Sequence, residues 1–319
     1  MGSRLENLPS VGKVGPMRKP ACLNRGDRVL AVAPAGACDP RRLEQGLGLL
    51  EQWGLVVEGP PGGEPFRYMS APDELRAGAL YEAFSREDVA AVLVARGGFG
   101  CARLMPRLRL DLRRVKPRIF CGFSDATIML ARLVEEARLV CFHGPMAAVD
   151  LPRLSAEGRE RFRRFLFDEE GWWDGRVRET WREGRAEGVL AGGCLSVLVT
   201  TLGTPYEVAT EGRVLFLEDV AEQPYRIDRM LTQLRHAGKF DRAAALVFGP
   251  MTDCDGGEGS GLLRRIAMEA VEGLSCPVLF GLEAGHGSEN VVLPMGCRVR
   301  VVAQDESPCL ELAEPVFSR

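Results

Sequence analysis

Through the first half of the chain, short unbroken apolar runs alternate with stretches whose apolar residues recur at helical spacing. Residues 28–33 (RVLAVA) show no polar–apolar alternation and stop at Pro34-Ala35-Gly36, which predicts a strand covered on both faces. Leu43, Leu47, Leu50 and Trp53 then form one stripe, as on a helix. The same reading predicts strands at 55–57, 90–95, 119–122 and 139–142, with helices over 73–84 and 127–137. Strand and helix in alternation predict an α/β fold built on a parallel, doubly wound sheet, whose sites gather at the C-terminal ends of the strands.

Both flanks of this block change texture. Residues 1–20 are polar, rich in Gly and Pro and without periodicity, so a loose N-terminal extension is expected, with an N-terminal domain over 21–150. Residues 151–187 carry charged residues, glycines and Trp172, Trp173 and Trp181, the composition of a connector. A C-terminal domain over 188–319 opens with the apolar run 188–193. Strands follow at 213–217, 244–248, 277–280, around Val291, 298–302 and 309–312, and helices at 226–237 and 262–272. This half should also be α/β, with more antiparallel strands.

Composition narrows the function. A chain of 319 residues supplies two domains of ordinary size without help from metals or disulfides. Lys and Arg (41) nearly balance Asp and Glu (44), giving a net charge of −3 with both signs interspersed, so no nucleic-acid footprint exists. The basic run 159–164 reads as a solvated helix face. Ten cysteines occur without a C-x-x-C pair, which argues against a metal site and for thiols that serve as small apolar residues in a reducing compartment. No apolar run approaches the roughly 18 residues of a membrane span, and residues 1–19 hold no signal-like core. A cytoplasmic protein with no membrane contact is expected.

The candidate chemistry centres on Gly122-Phe123-Ser124-Asp125-Ala126. Here a serine stands where a short strand turns into a helix, between small residues that permit a tight bend, as in a nucleophile elbow. Ser is also a favoured helix cap, and the segment fits that reading as well. A serine nucleophile needs a base, and the chain has three histidines. His236 ends an amphipathic stretch, where a cation suits the helix dipole. His143 follows a strand and would support the turn before Pro145 or line the substrate cleft. His286, between Gly285 and Gly287, has room for an exposed ring and is the better base. Glu218-Asp219 closes an apolar strand, either as the carboxylate that orients the imidazole or as the start of a turn. Arg96-Gly97-Gly98-Phe99-Gly100 lacks a full dinucleotide fingerprint; it is either a tight turn or a source of backbone NH groups for an oxyanion.

Taken together, Ala95-Arg96-Gly97-Gly98-Phe99-Gly100 with Arg103-Leu104, Gly122-Phe123-Ser124-Asp125, His143-Gly144-Pro145-Met146, Gly192-Gly193 with Leu202-Gly203-Thr204-Pro205-Tyr206, Leu217-Glu218-Asp219 with Pro224-Tyr225-Arg226-Ile227-Asp228, and Gly285-His286 with Asn290 and Leu293-Pro294 resemble the serine LD-carboxypeptidases, or muramoyltetrapeptide carboxypeptidases. The resemblance runs in order from about residue 28 to the C-terminus. It implies an N-terminal flavodoxin-like parallel-sheet domain and a C-terminal β-rich swivelling β/β/α domain. It implies Ser124 as nucleophile, His286 as general base and acid, Glu218 as the residue that orients it, and the amides of Gly98 and Asp125 as the oxyanion hole. A homodimer with no metal and no cofactor is implied as well. The reaction implied is removal of the terminal D-alanine from murein tetrapeptides. The family also includes microcin C self-immunity peptidases, so inactivation of a peptide-nucleotide antibiotic is the alternative; it calls for aromatic residues that stack a base, for which the connector tryptophans are candidates. Cys194 stands where the family often has Asn, and 126–129 lacks the family's polar residues. Arg96 and Arg226 are candidates for the substrate's free carboxylate on chemistry alone.

Overall fold

The computed structural model describes residues 16–61, 64–108, 110–257, 259–304 and 306–318. In the first half, β1 (Arg28–Val32), α1 (Pro40–Gln52), β2 (Val56–Glu58), α2 (Asp73–Ser85), β3 (Val89–Val94), α3 (Cys101–Leu104), β4 (Ile119–Gly122), α4 (Thr127–Glu135) and β5 (Cys141–His143) follow in order. The second half runs α5 (Ala156–Leu166), β6 (Glu179–Arg182), β7 (Gly184–Cys194), α6 (Leu195–Thr201), β8 (Arg213–Val220), α7 (Pro224–His236), β9 (Ala245–Thr252), α8 (Ser260–Ala270), β10 (Val278–Phe280), β11 (Leu293–Met295), β12 (Arg298–Ala303) and β13 (Cys309–Leu312). Local chemistry sets several boundaries: Asp39 caps α1 by accepting from Arg41 N at 2.8 Å, and Pro40 fills the first turn, where its missing NH is harmless.

The first sheet has the order β11-β5-β4-β3-β1-β2. Its pairs are parallel as expected, except that β11, from the far end of the chain, closes the β5 edge antiparallel and sets Leu293 opposite His143. The second sheet, β13-β12-β7-β8-β9-β10-β6, has a parallel centre from β7 to β10. Antiparallel pairs flank it: β12 and β13 on one side, β6 on the other. The two sheets share one core, in which Val92, Phe120 and Leu130 join the same cluster as Val214, Phe216 and Val247.

Two stretches expected to be loose or connecting are tied into this body. Residues 1–15 of the expected extension lie outside the described residues, but Arg18 bridges to Leu139, and its guanidinium donates to the carbonyls of Leu112, Val115 and Ala137. Within 151–187, α5 buries Phe162 and Phe165, while Arg163 and Arg164 pair with Glu160. The connector tryptophans are packing residues. Trp172 meets Phe165 edge-on, and Trp181 stacks on Phe280 at 4.4 Å; both are buried, so neither is free to stack a ligand base.

Candidate active site

Strand β4 delivers Ser124 at its C-terminal end, at the head of a short 3-10 turn, Ser124–Ala126, that leads into α4. Ser124 has a φ of 61°, a left-handed conformation that a non-glycine residue keeps only where the surroundings fix it. The surroundings here are close. A Cβ on Gly122 would lie 2.6 Å from Val94, and a Cβ on Gly97 would lie 2.7 Å from both Cβ and Oγ of Ser124 and 3.6 Å from the Asp125 nitrogen. The glycine turn after β3 therefore runs against the serine. Gly97 accepts from Gly36 N at 2.9 Å, and Gly98, exposed, has a φ of 110°. Asp125 joins the two turns from below: its buried carboxylate accepts from Cys101 N, at the start of α3, at 2.7 Å. Burial pushes the Asp125 carboxyl up, against the pull of that amide. Arg76, itself buried, packs against Gly100 and donates to Pro34 O and to Asp73.

The second part of the site comes from β8 and from the loop between β10 and β11. Glu218, near the end of β8, is fully buried; its Oε2 accepts from His286 Nδ1 at 2.7 Å and from His286 N at 3.1 Å. This arrangement puts the Nδ1 proton toward the carboxylate and leaves Nε2 for proton transfer. The approach requires Gly285, whose φ is 102° and where a Cβ would lie 2.6 Å from Glu218 Cδ. Further bonds hold the loop: Asn290 Oδ1 accepts from Gly285 N at 2.8 Å, Thr252 Oγ1 donates to His286 O at 2.9 Å, and Arg153, paired with buried Asp150, donates to Gly287 O at 2.9 Å. The His286 ring meets Phe123, the residue before Ser124, edge-on at 4.7 Å.

The charges of this pair support each other. Burial is the largest influence on His286 and lowers its pKa, but the bond and charge of Glu218, with the charges of Asp219 and Asp150, outweigh it and leave the imidazole above its ordinary value. Burial likewise pushes the Glu218 carboxyl up, and the imidazoles around it pull it below the ordinary range. Asp219, beside it, accepts from Ser196 N at 2.7 Å and is pushed up by burial.

The remaining candidates spread out. Arg96 lies exposed beside the glycine turn, with its guanidinium on Ala37 O. Arg226, in the first turn of α7, is exposed and bonded to its neighbours Tyr225 and Glu222. His236 sits in the last turn of α7. His143 does not line a cleft: its side chain is fully buried between Phe123 and Phe216, near the Oε1 of Glu218 that His286 does not engage. Gly97, the Asp125 carboxylate, Arg153 and Asn290 all shape the site without having been singled out for that part. Gly97 and Asn290 lie inside the motifs quoted above and Asp125 follows Ser124 directly, whereas Arg153 carries no such sequence signal. Cys194 replaces the expected amide, and its backbone N bonds Thr127 Oγ1 at 3.1 Å, which joins β7 to the start of α4. Among the described residues, no group of three or more metal-ligating side chains is present and no helix is long and apolar enough to cross a membrane.

Residues 29–144 match the family model of the LD-carboxypeptidase N-terminal domain, and residues 187–301 that of the C-terminal domain. The chain is 36% identical over 304 residues to a probable murein peptide carboxypeptidase of Bacillus subtilis, covering 92% of this chain and 94% of that one. It is 34% identical over 281 residues to the murein tetrapeptide carboxypeptidase of Pseudomonas aeruginosa, covering 84% and 91%. The crystal structure of muramoyltetrapeptide carboxypeptidase from Oxalobacter formigenes superposes with a TM-score of 0.80 at 28% identity, covering 92% of this chain and all of that one. With both halves of the family's fold matched in order along one chain, this protein belongs to the LD-carboxypeptidase family.

Proposed function

We propose that the protein is a serine carboxypeptidase that removes the terminal D-alanine from murein tetrapeptides. The observation that carries this reading is the buried Glu218–His286 pair, held against Phe123 at the strained turn of Ser124. In the mechanism this supports, His286 Nε2 takes the Ser124 proton as Oγ attacks the carbonyl on the L-centre of the diamino acid at position three. The amides of Gly98 and Asp125 receive the oxyanion. His286 then protonates the departing D-alanine, and water, activated by the same imidazole, releases the shortened peptide. Glu218 stabilises the imidazolium formed in each half of the cycle. Arg96, beside the glycine turn, is the better placed of the two arginines for the substrate's free carboxylate.

The names of the relatives support a murein peptide as substrate. Free cysteines throughout the described residues support a reducing cytoplasm, and the family resemblance supports a homodimer. One feature favours a second reading, a peptidase of peptide-nucleotide antibiotics: Tyr68 and Phe99 form an exposed aromatic pair at 6.0 Å next to Gly98. Incubation with a tetrapeptide ending in D-alanine, its L-alanine epimer and a processed microcin analogue separates the two. Release of D-alanine alone is expected. In the same assay, folded Ser124→Ala should lose about a millionfold in kcat; near-normal turnover would overturn the assignment.

A further inference from the structure

His143 is the residue of this region that the mechanism leaves unused. Its side chain is fully buried, and both ring nitrogens lack a hydrogen-bond partner. So does Oε1 of Glu218, the oxygen that His286 does not engage. Buried polar atoms left without partners are rare and call for an explanation. These face one another: His143 Nε2 stands 3.7 Å from Glu218 Oε1. That is too long for a hydrogen bond, and closing it takes a shift of about 0.7 Å.

The fold holds the ring there from several directions. Phe123 lies 5.4 Å from it on one side, and Phe216 meets it edge-on at 5.2 Å on another. The backbone is fixed in the ladder opposite Gly122, at the end of the nucleophile strand, and opposite Leu293 of β11. We propose that His143 is a positioning residue, a second imidazole that serves the free oxygen of Glu218 while His286 occupies the other. The inference rests on the Ser124–His286–Glu218 reading above.

A carboxylate removed from water, with one oxygen unserved, is costly and free to turn. A donor on Oε1 fixes the carboxylate plane for His286 and draws charge from Oε2, so that Glu218 holds the imidazolium less tightly and the ring is freed more readily to accept the serine proton. The other charged and titratable groups around the pair are Asp219 on β8, Asp150 after β5 and Cys194 at the end of β7. The Cys194 thiol is held protonated by burial and the two neighbouring carboxylates.

The test compares His143→Phe, which keeps an aromatic ring without nitrogens, with His143→Gln, which returns a donor. His143→Leu stands in if the phenylalanine does not fold. The readings are kcat, KM and the pH profile of D-alanine release, thermal melting, and the titration of the His286 ring by NMR in the free protein. The apolar variants should lose about tenfold to hundredfold in kcat, the worth of one hydrogen bond to a charged group, with KM nearly unchanged. Their acid limb and their His286 titration should both move to higher pH, because Glu218 then pulls harder on the remaining imidazole. Gln should restore both. An apolar variant that melts like the wild type and keeps its kcat, or loses kcat with the titration unmoved, overturns the inference. The NMR reading needs no turnover; if His286→Ala stays active, it is the triad that falls.

Discussion

At Ser124, a left-handed backbone holds a side chain against a glycine turn, and the space left for that side chain is the clearest residue-level constraint in the molecule. Gly97→Ala would place a methyl 2.7 Å from Oγ, so kcat should fall by about a hundredfold, as displacements near 1 Å do, with melting little changed. Gly285→Ala should be at least as severe, since its strained φ adds to the clash with Glu218; turnover measured beside a thermal melt checks both. The raised His286 pKa has a sign consequence for the mechanism proposed above, in which the working base is the neutral ring. The acid limb of kcat/KM should lie above the ordinary histidine value of 6.5. Stability follows from the same pair. The lowered Glu218 contributes above its unfolded value near 4.5 and loses that contribution as pH falls through its folded value. The raised His286 contributes fully below its unfolded value near 6.5 and loses it as pH rises through its folded value. The stabilising effect of the pair is therefore greatest between those two values, and Glu218→Gln should lower Tm most in that window. At this scale, the residues left the strand-end acid open between an imidazole partner and a turn start, and it was the family resemblance that paired Glu218 with His286, which meet at 2.7 Å. The burial of His143 was not legible, because nothing beside a Phe-His-Gly-Pro segment tells which face of the sheet will be covered.

Some short strands were read to the residue, as β4 and β13 show. Elsewhere the reading failed for identifiable reasons. Strand β7 opens at Gly184, not Gly188, because its first residues alternate polar and apolar where β12 pairs with it and one face meets water. Four-residue α3 and seven-residue α6 are too short to show a helical period. Tryptophans in a charged stretch looked like a linker, yet Trp172 and Trp181 bury their rings while the charges stay outside. Arg18 is the test of the segment before β1. It serves carbonyls from the segment ahead of β4 and from the end of the α4 region; Arg18→Ala should destabilise by about 1–3 kcal/mol, the penalty for acceptors left unpaired, as read by urea denaturation.

Across the whole molecule, no sequence pattern announced that β11 would cross back to complete the first sheet, since three residues carry no partner label. With the shared core, that crossing makes the two halves interdependent. The full chain should unfold in one calorimetric transition, and residues 16–150 alone, lacking β11 and half of their core, should not give a cooperative melt. The same crossing gives the loop of His286 a special mechanical position. The loop leaves β10 in one sheet and lands as β11 in the other, like a cable slung between two towers, one bearing Glu218 and the other bearing Ser124. Any rocking of one tower against the other would pull on the histidine loop as well as on the core that the two share. A single cut within 281–292 would slacken the cable, leave both towers standing and silence the chemistry.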